Sequence, residues 1–237
     1  MNTTEPSLSA TGVFSLPGWL VSLFQVILIA VLPLVLVLLN ARVLMSNAFI
    51  RWEYSRPNFP ADPYGFATQD RLQHAPVALA YLFNDEGIDF LGRETFPDGS
   101  PLYNERELSH MEDVKNVTRG LATFGYVLIG AAALAVLLLA ASPPSRPALY
   151  RGLFGGSVLT VVLIIAGLIA VATSFNWLFT QFHRLFFEGN SWLFLYSDTL
   201  IRLFPIQFWT DAFALMFGGA LVEAVIIGAV MRLLLSR

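Results

Sequence analysis

The 237-residue sequence contains no cysteine. This excludes disulfides, thiolate metal sites and a cysteine nucleophile. Charge is scarce as well: Asp, Glu, Lys and Arg make up 13% of the chain, about half the share of an ordinary soluble domain. The formal net charge is −3, which gives no basis for binding nucleic acid. Histidine occurs only three times. What abounds is apolar: 56% of residues are hydrophobic, with a mean hydropathy of +0.63. One soluble core of this size cannot hide that much apolar surface, whereas a bilayer takes it as solvent.

The apolar residues fall into four runs. The first has an uncharged centre from Val26 to Leu39, interrupted only by Pro33. It is long enough to cross ~30 Å of hydrocarbon. The run is too long for a signal peptide and no Lys or Arg precedes it, so it reads as a retained helix. The expected class is an all-α integral membrane protein: a four-transmembrane-helix bundle with an extracytoplasmic α-helical cap between spans 1 and 2. The expected boundaries are a cytoplasmic tail at 1–15, spans at 16–44, 120–142 and 152–175, and a fourth span with a cytoplasmic C-terminus at 211–237. The cap is 45–119, a cytoplasmic loop is 143–151, and an interfacial, extracytoplasmic segment is 176–210. Orientation follows from Arg146 and Arg151 in the short loop and Arg232 and Arg237 at the C-terminus, because basic loops stay inside.

Within the cap, Leu72, Ala75, Leu79, Leu82 and Phe83 recur at helical spacing, predicting a helix over Thr68–Phe83 with an apolar face. Asn104 followed by Glu107 predicts an N-cap with a capping-box partner. No Gly or Pro occurs from Glu105 to Arg119, so the second spanning helix should begin several turns before its apolar part. Ala220, Ala224 and Gly228 form a small-residue stripe on the last span, suited to close packing. Glu223, on the same span, is predicted to sit protonated against a hydroxyl such as Tyr126 or Thr160 rather than to serve transport.

All three histidines fall in the extramembrane segments. His110 lies in Glu107-Leu108-Ser109-His110-Met111-Glu112-Asp113-Val114-Lys115, where Glu107, His110 and Asp113 share a helix face. A carboxylate beside an imidazole orients it and raises its basicity, as a general base requires. His183 lies among aromatics in Phe182-His183-Arg184-Leu185-Phe186-Phe187. The alternative for both is a packed or solvated histidine without chemistry. His74 has no carboxylate pattern near it and is assigned a structural role. His110, Asp113 and His183 form a sparse set for zinc, without a His-Glu-x-x-His pair. Ser109 lacks the glycines of a nucleophile elbow.

These motifs, with Trp192, Asp198-Thr199-Leu200-Ile201-Arg202-Leu203-Phe204-Pro205, Phe208-Trp209, Pro63-Tyr64-Gly65-Phe66 and Asp70-Arg71, resemble the lipoprotein intramolecular transacylase (Lit) family of small bacterial integral membrane proteins. The similarity runs along essentially the whole chain, and the His110–Lys115 element is its most specific part. It implies an acyltransferase of the bacterial inner membrane, facing outside, without metal or cofactor, whose partners are membrane lipid and diacylglyceryl-modified lipoproteins. The implied reaction moves the sn-2 acyl chain of diacylglyceryl-cysteine to its α-amino group, giving the lyso-form product. One of His110 and His183 would be the base and the other the proton donor, with Asp113 or Glu107 orienting His110. Lys115, Arg71 or Arg184 would steady the oxyanion or hold peptide carbonyls. Tyr64, Trp192, Asp198 and Trp209 would complete substrate binding. Two other readings stand beside this one: a non-catalytic membrane adaptor and a metal-dependent membrane hydrolase acting on lipid.

Overall fold

The computed structural model describes residues 14–187 and 189–237. The expected tail at 1–15 therefore lies almost wholly outside the described residues. The described chain is helical, and its one β-type pairing is an isolated bridge between Thr95 and Pro101. Eight α-helices follow in order: α1 Gly18–Leu44, α2 Asn47–Tyr54, α3 Thr68–Phe83, α4 Asp89–Gly92, α5 Glu105–Ala141, α6 Arg146–Phe186, α7 Thr199–Leu203 and α8 Ile206–Leu235. Four of them, α1, α5, α6 and α8, are long and apolar enough to cross a membrane.

Helix α1 is the hub of the bundle. It packs against α5, α6 and α8, and α6 packs most extensively on α8. Small residues make these seams. A Cβ on Gly156 of α6 would lie 2.9 Å from the Leu28 carbonyl and 3.0 Å from Leu32 Cβ, so α6 sits against the α1 backbone only because the side chain is absent. The stripe on α8 behaves as its composition predicts: Ala220 and Ala224 are fully buried, and a Cβ on Gly228 would lie 3.2 Å from Ser157 Cβ. Between α1 and α8 the partner of Glu223 is neither Tyr126 nor Thr160. Asn40 Nδ2 donates to Glu223 Oε2 at 2.9 Å, while Thr160 Oγ1 donates to its own helix at the Gly156 carbonyl, 2.7 Å away.

Two of the spanning helices run far beyond their apolar parts. Helix α5 starts where the capping box requires. Asn104 Oδ1 accepts from the Arg106 and Glu107 N–H groups, and Glu107 Oε2 accepts from the Asn104 N–H at 2.9 Å. Helix α6 starts at Arg146, so most of the loop expected over 143–151 is helix. Only Ser142 and the 3₁₀ turn Pro143–Ser145 separate it from α5. Pro147 sits in the first turn, where a missing N–H costs nothing. At its other end α6 breaks at Ser174 (φ −158°, ψ 63°) and then resumes as helix to Phe186.

Helices α2 to α4 gather at the end of the bundle where α5 begins and α6 finishes. Helix α3 has the predicted bounds, but its buried face is rotated. Arg71, His74, Ala75, Ala78, Tyr81 and Leu82 point inward, while Phe83 is exposed. The core here joins Tyr81, Leu91, Leu102 and Met111 to Leu200 and Leu203 of α7. A hydrogen-bonded arginine and a buried histidine therefore take part of the place expected for the apolar stripe. Arg71 Nε donates to the Arg202 carbonyl at 2.9 Å and its NH1 to the Pro60 carbonyl at 2.7 Å.

The α1–α6 seam gives a direct test. Gly156→Leu should lower the thermal unfolding midpoint in detergent, by an overpacking cost of about 1–3 kcal/mol. Gly120→Leu, where an added Cβ meets nothing within 4 Å, should not.

Candidate active site

The capped start of α5 carries His110, and the part of α6 beyond Ser174 carries His183. Their imidazole rings lie 6.0 Å apart, centroid to centroid, and are inclined by only 22°. Both residues are buried, at 7% and 8% exposure. Aromatic rings wall them in. Phe187 and Phe194 meet the His110 ring edge-on at 4.9 and 5.2 Å. Phe179, Trp192 and Phe187 surround His183 at 4.1, 5.0 and 5.4 Å.

Hydrogen bonding distinguishes the two rings. His183 Nδ1 lies 2.8 Å from the Phe179 carbonyl. A carbonyl only accepts, so this bond places the proton on Nδ1 and leaves Nε2 as the acceptor. His110 Nδ1 and Trp192 Nε1 are buried without a hydrogen-bond partner among the described residues. Burial, reinforced by His183, pushes the His110 pKa down to about 4. Burial also lowers that of His183, partly offset by the Phe179 carbonyl. The pair is therefore neutral at neutral pH, since desolvation disfavours the charged imidazolium.

The carboxylates do not orient His110 as the sequence suggested. Glu107 uses both oxygens elsewhere: Oε2 on the Asn104 N–H and Oε1 on the Leu200 N–H at 2.7 Å. Asp113 Oδ2 meets Ser191 Oγ at 3.4 Å. Backbone N–H groups and a hydroxyl thus outcompete the imidazole for these acceptors. Lys115 is likewise engaged. Its ammonium lies 4.0 Å over the Tyr81 ring and donates to Asn84 Oδ1 and the Glu86 carbonyl, at the end of α3. Arg71 is a buried strut between backbone carbonyls, as described above. Arg184 is exposed. Asp198 precedes α7 and accepts from the Leu195 N–H at 2.8 Å and from Asn104 Nδ2 at 3.3 Å. Tyr64 is half-exposed, and its carbonyl receives Arg202 NH2 at 3.1 Å. Trp209 packs in the aromatic row with Phe179, Phe204 and Phe208. Of the candidates, then, His110, His183 and Trp192 converge, Trp209 reaches them through Phe179, and the rest build the surround.

The sequence reading missed three features. Phe187 and Phe194 supply the apolar walls around His110, and only their aromatic character hinted at it. His74 does have an acidic neighbour: Glu94 Oε2 is 3.4 Å from its Nδ1. Glu53 on α2 is fully buried beside Asp211 and Arg56, and Arg56 bridges both carboxylates. Burial, then the Asp211 carboxylate, pushes the Glu53 pKa up to about 7. No group of three or more His, Asp or Glu side chains is placed to hold a metal ion among the described residues.

The neutral state of His110 has a consequence for stability. An imidazole whose folded value is about 4, against an ordinary 6.5, binds its proton more readily unfolded. Its destabilising effect is therefore absent above 6.5 and grows as pH falls towards 4, to about 3 kcal/mol. His110→Phe keeps a ring and removes the titration. It should flatten the fall in unfolding midpoint between pH 6.5 and 4, measured by thermal unfolding in detergent.

Comparison with known proteins agrees with this architecture. The sequence profile described as lipoprotein intramolecular transacylase Lit matches residues 26–209. An uncharacterised protein of Aquifex aeolicus (strain VF5) is 34% identical over 189 residues, covering 80% of this chain and 84% of that protein. The membrane integral lipoprotein intramolecular transacylase Lit from Bacillus cereus superposes with a TM-score of 0.77 at 20% identity, over 93% of this chain and 98% of that one. A second structure of the same protein, carrying a histidine-to-arginine mutation, gives 0.70 over 92% of this chain and 93% of that one. At that identity the structural match speaks for a shared fold, of a protein integral to the membrane, and the four long apolar helices make the present chain a multi-pass membrane protein. The profile match over most of the chain, with the Aquifex aeolicus relative beside it, decides the family: the chain belongs to the lipoprotein intramolecular transacylase Lit family.

Proposed function

We propose that the chain is a metal-independent O-to-N transacylase. It moves the sn-2 acyl chain of a lipoprotein's diacylglyceryl-cysteine to the cysteine α-amine, giving an N-acyl, S-monoacylglyceryl product. The observation that carries this reading is the pair of buried imidazoles 6.0 Å apart, inside an aromatic enclosure at one end of a membrane bundle. Family membership supports the general activity, and the chemistry below is derived from the pair.

Donor ester and acceptor amine belong to one molecule, so no enzyme nucleophile is required. The enzyme has to fold the lipid-modified cysteine so that its amine meets its own ester. Such alignment is worth effective molarities of up to about 10⁵–10⁸ M. The amine lone pair attacks the ester carbonyl carbon, and the C–N bond forms. The surplus amine proton goes to His183 Nε2, the free acceptor. The tetrahedral adduct then collapses, the bond from carbon to the glyceryl oxygen breaks, and the histidine pair returns the proton to that oxygen. His183, which took that proton, is the group that gives it back, while neutral His110 holds the leaving oxygen by a hydrogen bond. The low basicity that burial gives His183 makes its imidazolium a ready donor. The same depression makes the pair poor at deprotonating an ammonium group, so the amine must arrive neutral. The substrate's α-amine, with a pKa of ~7.7–8.0, then sets the pH dependence: the rate should rise with pH through that range, without a step near 6.5.

The basic residues Arg146, Arg151, Arg232 and Arg237 support placing the opposite end of the bundle in the cytoplasm. The histidine site then faces the outer leaflet, where a lipid-anchored protein end resides. Acyl chains would remain in the bilayer while the cysteine head enters between α5, α6 and the 189–198 segment.

The test is mass spectrometry of the N-terminal peptide of a reporter lipoprotein co-expressed with the chain in cells lacking other N-acylation. The lyso-form product is expected. His110→Ala and His183→Ala should each cut conversion about 10²–10⁴-fold. An unchanged diacyl peptide with the wild-type chain would reject transacylation. Full conversion by both variants would reject the histidine mechanism alone.

A further inference from the structure

Acyl transfer places a negative charge on the former carbonyl oxygen, and catalysis needs a fixed donor aimed at it. The obvious cations do not fill that role. Lys115 and Arg71 are committed to carbonyl and amide oxygens of the surround. Arg106 donates to the Leu193 carbonyl at 3.1 Å. Arg184 is exposed. The backbone N–H groups of His110 and His183 lie inside helices and are satisfied there.

We propose that the indole N–H of Trp192 is the oxyanion donor of the transacylase. This rests on the reading of the preceding section and names the group that section leaves open. Three observations carry it. The Trp192 ring lies 5.0 Å from the His183 ring, centroid to centroid, inclined by 36°, so the indole packs directly against the base. Its Nε1 is buried with no hydrogen-bond partner among the described residues. A buried indole N–H ordinarily has a partner, because leaving it unpaired forfeits the hydrogen bond it made to water. A phenylalanine would pack in the same aromatic wall without that loss. The third observation is rigidity. The next residue is fixed on both sides: the Leu193 N–H donates to the Asn190 carbonyl at 3.1 Å, and its own carbonyl receives Arg106. Arg106 belongs to α5, as does His110, so the helix that carries the histidine also holds the residue next to the indole.

A neutral donor also suits the enclosure. A lysine or arginine in such an apolar wall would need its own counter-ion, whereas an indole stays uncharged in every step. As the amine nitrogen bonds to the carbonyl carbon, the carbonyl π pair moves onto oxygen, and the indole N–H shortens its bond to it. When the adduct collapses, that pair re-forms the amide carbonyl and the indole keeps its proton.

The test uses the full chain in detergent micelles with a diacylated lipopeptide. Trp192→Phe removes the donor and keeps a ring. Incorporation of 3-benzothienylalanine at 192 replaces only the indole N–H by sulfur and preserves the shape, which covers the case in which the phenylalanine variant fails to fold. Both should lose about 10²-fold in kcat with KM and the pH profile unchanged. Unaltered kcat in the benzothienyl variant, or a loss confined to KM, would overturn the proposal. In both cases His183→Ala should still cut turnover about 10²–10⁴-fold, so the transacylase reading survives. A wild-type chain without turnover removes both.

Discussion

The Glu107 carboxylate is the contact on which the geometry of this site depends. It is 1% exposed, and burial raises its pKa against the pull of the N–H groups it accepts. One oxygen closes the capping box at the start of α5. The other receives the Leu200 N–H of α7. A single side chain thus ties the first turn of one long helix to the segment connecting α6 and α8. Three residues later along α5 stands His110, and the tethered segment brings Phe194 and Trp192. The projecting start of α5 also packs through Met111 and Lys115, but this carboxylate is its direct bond to α7.

The aromatic enclosure sets the chemistry. Polar neighbours would have kept the imidazoles near their ordinary basicity. Phe187, Phe194, Phe179 and Trp192 instead exclude water, and the histidines stay neutral. Neutrality has two effects on the proposed reaction. It leaves an acceptor nitrogen available over a wide pH range, and it makes the transient imidazolium a strong acid towards an alkoxide leaving group. A carboxylate bonded to His110 would have produced the opposite balance, a better base and a weaker acid. The commitment of Glu107 and Asp113 to other donors is therefore part of the tuning.

Local signals were legible in the sequence where one residue type at one spacing decides the outcome. The Asn104–Glu107 cap, the Thr68–Phe83 helix and the Ala220, Ala224, Gly228 seam belong to this kind. His110 and His183 were singled out by residue type and by the family resemblance, and their catalytic part is a proposal. Their convergence was not legible, because it depends on α6 resuming beyond Ser174 and on a tertiary bond from Leu200 to Glu107. The partners that Lys115 and Arg71 take in the structure were not legible for a related reason. Sequence spacing marks a cation but does not reveal that a helix end or a carbonyl 131 residues away will claim it. Glu53 escaped for the same reason, since its unusual environment is created by Asp211, on α8.

The bundle and the site answer to different physical constraints, and the fold keeps them apart. Between α1, α6 and α8, contact rests on glycines at 156 and 228, on the small side chains of Ala220 and Ala224, and on one polar bond between Asn40 and Glu223. Lipid-facing surfaces supply no hydrophobic drive towards association, so close backbone approach has to supply it. At the other end, contact is mediated by large aromatic side chains and backbone hydrogen bonds, as in a water-soluble core. His110 and His183 sit on helices that span both regions, each placed beyond the apolar part of its helix. Sliding or tilting at the glycine seams would therefore change the separation of the two rings, even though no seam residue touches them. The break at Ser174 limits that coupling, because the last turns of α6 hold their position through Phe179, Trp192 and the row continuing to Trp209. An enzyme of four thin spans can in this way keep a fixed reaction geometry on a support that lipid only loosely compacts.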